Sequence, residues 1–102
     1  MVLTRSFKTT VMERAGRDPA FRRALLAEAL NALLDGDVDT GKSVLRDYIN
    51  AGVGFAALAA AVGTPPKSLM RMFGSAGNPT ARTLFAVIAY LQRDLGVTLA
   101  VA

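Results

Sequence analysis

The 102 residues predict an all-α fold of five to six helices with a short C-terminal strand. Apolar residues recur at three- and four-residue steps along most of the chain, the spacing of one buried helical face. Cap residues and glycines punctuate that pattern at intervals suited to short helices. Only "VTLAV", after Gly96, is short and partly β-branched, so residues 97–101 read as a strand. With 52% of its residues hydrophobic and 20% charged, the chain is expected to fold as a single domain, 1–102, around one core. Within it, N-terminal helices occupy 1–51 and a second helical unit occupies 54–96.

Each element has a local cause. Thr4 can cap a first helix that carries Phe7 and Val11 on one face and ends near Gly16. In "RDPAFRRALLAEALNALLDG", Asp18 is an N-cap and Pro19 suits the first turn. Phe21, Leu25, Ala29, Ala32 and Leu33 then recur at helical spacing until Gly36 ends the run. A third helix runs from an Asp37 cap to Ala51, with Val38, Leu45 and Ile49 on one stripe and Val44 and Tyr48 beside it. After "NAGVG", the segments "FAALAAAV" and "PPKSLMRMF" read as short helices and "GSAGNP" as a loop. Thr80 caps a longer last helix with Leu84, Val87, Ile88, Leu91 and Leu95 on its apolar side. "MVLTR" is at most a weak strand, so the C-terminal strand is expected to find its partner in another subunit.

Composition excludes much chemistry. Cysteine and histidine are both absent, which removes disulfides, thiolate nucleophiles, most zinc and iron sites and the commonest general acid–base group. No metal, no cofactor and no enzymatic activity are expected. No apolar run approaches the ~20 residues of a membrane span, and charges break up the N-terminus before a signal segment forms. A cytoplasmic protein that does not engage a membrane is therefore expected. The net charge is +4, and no Asp or Glu lies between Asp47 and Asp94, whereas Lys67, Arg71 and Arg82 do. A basic stretch without acids suits a polyanion, although a small Ala-rich half also carries few charges of any kind.

"GDVDTGKS", from Gly36 to Ser43, satisfies the phosphate-loop pattern G-x-x-x-x-G-K-[ST]. A working phosphate loop follows a buried strand and presents backbone amides to the phosphates. Here the preceding segment is helical, and Asp35, Asp37 and Asp39 would oppose a triphosphate. A calcium loop also fails, because Thr40 and Arg46 stand where glycine and a bidentate acid are needed. The pattern is better explained as a helix–helix junction in which Gly36 ends one helix, Asp37 caps the next and Gly41 allows close packing. Lys42 is then expected to be an ordinary solvated residue.

A second pattern is more specific. A helix-turn-helix needs an apolar fourth residue, a small fifth, an apolar eighth, glycine at the ninth for the turn, and apolar fifteenth and eighteenth residues. Counting from Phe55, Leu58, Ala59, Val62, Gly63, Leu69 and Met72 fill these in order, and Thr64 departs mildly from the usual branched apolar tenth. If Leu69 and Met72 face inward, Lys67, Met70 and Arg71 face outward. Arg71 can fork onto guanine or grip a phosphate, Lys67 can do either as a point charge, and Met70 can pack on a thymine methyl. Ser68, Thr64 and the opening turn with Pro66 are candidates for phosphate contacts. Arg82 completes the DNA-binding set. The two prolines remove donors and reach from that turn, so readout is expected to lean partly on DNA shape.

The run "GFAALAAAVGTPPKSLMRMFGSAGNPTARTLFAVIAYLQRDLGV" resembles the Cro-like, xenobiotic-response-element-type helix-turn-helix domain, of the lambda-repressor-like class. With "RDPAFRRALLAEALNALLDGDVDTGKSVLRDYIN" upstream, nearly the full chain is similar to the addiction-module antidote (antitoxin) proteins of bacteria. The resemblance implies a homodimer that binds a palindromic operator in double-stranded DNA, represses its own operon and neutralises a RelE/ParE-like toxin. It also suggests, by position, that Asn78 and Thr80 anchor the DNA backbone.

Two alternatives stay open. The chain could be a stand-alone phage-type or host regulator without a toxin. It could instead be chiefly a protein-binding antidote, for which Leu26, Leu30 and Leu34 form a candidate apolar stripe unless they belong to the core or the dimer interface.

Overall fold

Asp18 accepts hydrogen bonds from the amides of Ala20 and Phe21 at 3.1 and 3.2 Å, and a helix starts immediately after it. The computed structural model describes the backbone of residues 5–100 and the side chains of residues 9–100. The Thr4 cap, the first four residues of the weak strand "MVLTR", the Phe7 side chain and the Val101 end of the C-terminal strand lie outside the described residues, and Arg5 itself is helical. Six helices follow one another: α1 Arg5–Arg17, α2 Pro19–Leu34, α3 Val38–Ala51, α4 Phe55–Val62, α5 Pro66–Met72 and α6 Ala81–Leu95. None of them is long and apolar enough to cross a membrane.

The junction within "GDVDTGKS" is built from backbone hydrogen bonds. Gly36 adopts φ 84°, a left-handed conformation that side chains disfavour. Its amide donates to the Leu33 carbonyl, and the Asp37 amide donates to that of Ala32 at 2.9 Å, closing α2. The Asp37 carboxylate then accepts from Thr40 N at 3.2 Å and caps α3. Hydrogen bonding from the Thr40 side chain, and then from its backbone amide, holds the Asp37 carboxyl below its usual value. The chain reverses in so few residues that α2 and α3 pack along their lengths. A Cβ at Gly41 would fall 2.5 Å from Leu33 Cδ2, so the glycine admits the close approach.

One buried cluster joins the two halves of the chain. Leu26 and Ala29 of α2 meet Leu45, Tyr48 and Ile49 of α3, Phe55, Leu58 and Ala59 of α4, Leu69 and Phe73 at α5, and Val87 and Leu91 of α6. Each fully buried leucine here contributes about 1.5–3 kcal/mol relative to leaving it exposed. Phe73 is the largest fully buried side chain, and its ring lies 6.4 Å from that of Phe55. α1 packs on α2 and α3 through Ala15, while Arg14 sits 4.6 Å over the Phe21 ring and 3.7 Å from Asp18.

Three expectations need correction. Val38, placed on the inner stripe of α3, is 43% exposed because it faces an open groove beside Leu34 and Phe85. Residues 97–100 form no strand. The tail is folded back on α6 instead, with Val97 N donating to the Gln92 carbonyl at 3.0 Å and Leu99 N to Gln92 Oε1 at 2.7 Å. Lys42, expected in solvent, is 3% exposed.

Candidate nucleic-acid interface

Gly63 closes α4 with φ 71° and ψ 31°, and Thr64 N reaches back to the Ala59 carbonyl at 3.1 Å. The chain turns through Thr64 and Pro65 and enters α5 at Pro66. Leu58, Ala59 and Leu69 are buried, while Val62 and Met72 are partly buried against the same cluster. Burying that side of α5 fixes what its other side presents. Pro66, Lys67, Met70 and Arg71 are exposed, Met70 at 51%, and Thr64 and Ser68 are half-buried.

The loop after α5 adds a second edge. Asn78, Thr80 and Arg82 are all exposed at the start of α6. Thr80 Oγ1 accepts from Thr83 N at 3.2 Å and lies 3.1 Å from Thr83 Oγ1, so this hydroxyl serves the helix cap. Ser68, Arg71 and Asn78, together with Met72 and Gly77, line a shallow depression of about 260 Å³ between α5 and the loop. Three of the nine sequence-derived site residues therefore converge on one spot. Thr64, Pro66, Lys67, Met70, Thr80 and Arg82 lie outside that depression.

The loop is held from beneath by α3. Lys42 Nζ donates to the carbonyls of Gly74 at 3.2 Å and Gly77 at 2.5 Å, and to Asn78 Oδ1 at 3.2 Å. One turn later, Arg46 Nη1 donates to the Phe73 carbonyl at 3.3 Å. Arg46 thus sits at the C-terminal end of α5, where free carbonyls and the helix dipole favour positive charge, and Lys42 sits under the loop that follows. Three oxygen acceptors compensate the burial of the Lys42 ammonium, which would otherwise be strongly unfavourable. Asp39, at 3.8 Å, adds little because its side chain is 94% exposed. Sequence reasoning missed both residues. The only available signal was that Lys42 and Arg46 are four apart, on one face of α3.

An apolar groove of about 660 Å³ runs between the α2–α3 junction and α6, and Asn78 borders both it and the depression. Leu30, Leu33 and Leu34 form one wall and Leu84, Phe85 and Ile88 the other, with Leu99 of the tail alongside. Leu34 and Phe85 are 68% and 66% exposed. The stripe of Leu26, Leu30 and Leu34 is accordingly divided: Leu26 is core, Leu30 is half-buried and Leu34 lies open.

The fold and the site define an all-helical domain that places a basic, acid-free helix face beside an anchored loop. No family model, curated protein or solved structure matches the chain.

Proposed function

We propose that the protein is a sequence-specific DNA-binding repressor of the helix-turn-helix type, acting as a dimer on a palindromic operator. The observation that carries this reading is the division of α5, with Leu69 fully buried while Lys67, Met70 and Arg71 stand exposed on the far side. An exposed Lys and Arg are often only solubilising. Here they lie within the acid-free run between Asp47 and Asp94, so no carboxylate of α4, α5 or the loop repels an approaching phosphate. In this reading α5 enters the major groove, Arg71 and Lys67 contact bases or phosphates, and Met70 packs on a thymine methyl. Thr64, Ser68, Asn78, Thr80 and Arg82 flank it as backbone contacts. The recognition helices of two protomers would read half-sites about 34 Å apart.

The test is selection of binding duplexes from a randomised pool, followed by footprinting upstream of the protein's own operon. Enrichment of a palindrome protected in both arms supports the reading. Failure to enrich any motif contradicts it.

The open groove favours a protein partner in addition. Leu34 and Phe85 expose apolar surface that the core does not bury, which suits an antitoxin that also covers a RelE/ParE-like toxin, or a homodimer seam. Co-purification with the product of the adjacent gene supports the antitoxin assignment. A protein that binds its operator but retains no neighbour-encoded partner is instead a stand-alone regulator.

A further inference from the structure

An ammonium can only donate hydrogen bonds, so the oxygen of the Asn78 carboxamide must be the atom that faces Lys42. The amide orientation is therefore settled by its neighbour, and the two N–H donors of Asn78 are left for the exposed side. Asn78 lines the depression shared with Ser68 and Arg71, and its other flank borders the apolar groove. Withdrawal of electron density by the ammonium also strengthens those donors, because linked hydrogen bonds polarise one another.

We propose that Lys42 is a positioning residue for DNA binding: it locks Asn78 with its carboxamide N–H groups outward, as donors to a backbone phosphate oxygen. The inference rests on the DNA-binding reading above. It gives the buried lysine of "GDVDTGKS" a role beneath a phosphate contact that it never touches. Without Lys42 the loop loses three anchoring bonds, and the Asn78 amide is free to turn its oxygen toward the phosphate, where it can only repel.

The experiment is an equilibrium titration of the duplex enriched by the wild-type protein, with thermal unfolding of every variant. Asn78→Asp keeps an acceptor for Lys42 but replaces the outward donors with a carboxylate oxygen. It is expected to unfold within a few degrees of wild type and to bind at least about tenfold more weakly. Asn78→Ala is expected to lose about three- to tenfold with the salt dependence unchanged, because a neutral carboxamide displaces no counterion. Lys42→Met should lose at least as much, and Lys42→Met/Asn78→Ala should bind no more weakly than Lys42→Met alone. If Lys42→Met does not fold, Asn78→Asp against Asn78→Ala carries the test.

Wild-type affinity in Asn78→Asp overturns the proposal, as do losses in Lys42→Met and Asn78→Ala that multiply in the double variant. If Arg71→Ala weakens binding while the Asn78 variants do not, the inference falls and the DNA-binding reading stands. If the wild-type protein enriches no duplex, both fall together.

Discussion

Gly77 lies so close to the carbonyl oxygen of Arg71 that a Cβ there would overlap it and stand 2.9 Å from the carbonyl carbon. The loop after α5 is thus pressed onto the last turn of the helix as well as tied to α3 by Lys42. Backbone on both sides leaves no flexible side chain to yield. Gly77→Ala is expected to cost about 1–3 kcal/mol through overpacking. In a chain of this length each kcal/mol lowers Tm by roughly 4–8 °C, which calorimetry resolves. An unchanged Tm would mean that the loop can lift off α5.

Adjacent residues on α5 should behave in opposite ways. Leu69 is fully buried, so Leu69→Ala should destabilise by about 2–5 kcal/mol, as large-to-small changes in packed cores do. Met70 is half exposed, and Met70→Ala should alter stability by less than about 0.5 kcal/mol while weakening DNA binding. Urea denaturation beside a binding titration separates the two effects. Equal losses of stability would show that α5 does not divide into a buried and an outward face.

Tyr48 should make the stability of the protein fall in alkali. Burial pushes its hydroxyl above the usual tyrosine value of 10.0, with Arg22 opposing the shift and Asp94 adding to it. The folded state therefore holds this proton more tightly than the unfolded state does. The resulting stabilisation is present in full below pH 10 and is lost as pH rises through the raised folded value. Tyr48→Phe has no proton to lose, so its stability should decline less than that of wild type above pH 10. Parallel urea midpoints for the two proteins across that window would contradict the assignment.

Much of this was legible in the sequence because the decisive signals are local. Asp18 and Pro19 start α2, Gly36 and Asp37 end one helix and begin the next, Gly63 turns α4 into α5, and Thr80 starts α6. Each acts through hydrogen bonds spanning a few residues, so its neighbours in sequence suffice to predict it. The apolar run of α6 was equally readable, since Val87, Ile88 and Leu91 share one face.

Lys42 was not readable in that way. Its burial is decided by carbonyls 32 and 35 residues further along, on a loop that local reasoning cannot place against α3. Phe73 follows Met72 and looks like the end of a helix, yet it fills the centre of the core. Phe85 lies between Leu84 and Val87 and is exposed, because 3.6-residue periodicity turns it away from the side that Val87 and Leu91 bury. The tail "VTLAV" has strand composition, but Gln92 ties residues 97 and 99 back onto α6.

Reading of DNA by α5 should depend on Arg71 above any other side chain. That arginine is exposed on the outward face of α5, beside Ser68 and Asn78, and no salt bridge to a carboxylate involves it among the described residues. Fluorescence anisotropy of the selected duplex should show Arg71→Ala binding weaker by about 1–3 kcal/mol, with Tm and helical content unchanged. Binding of the wild-type and Arg71→Ala proteins with the same affinity would contradict the assignment of α5 as the DNA-reading helix.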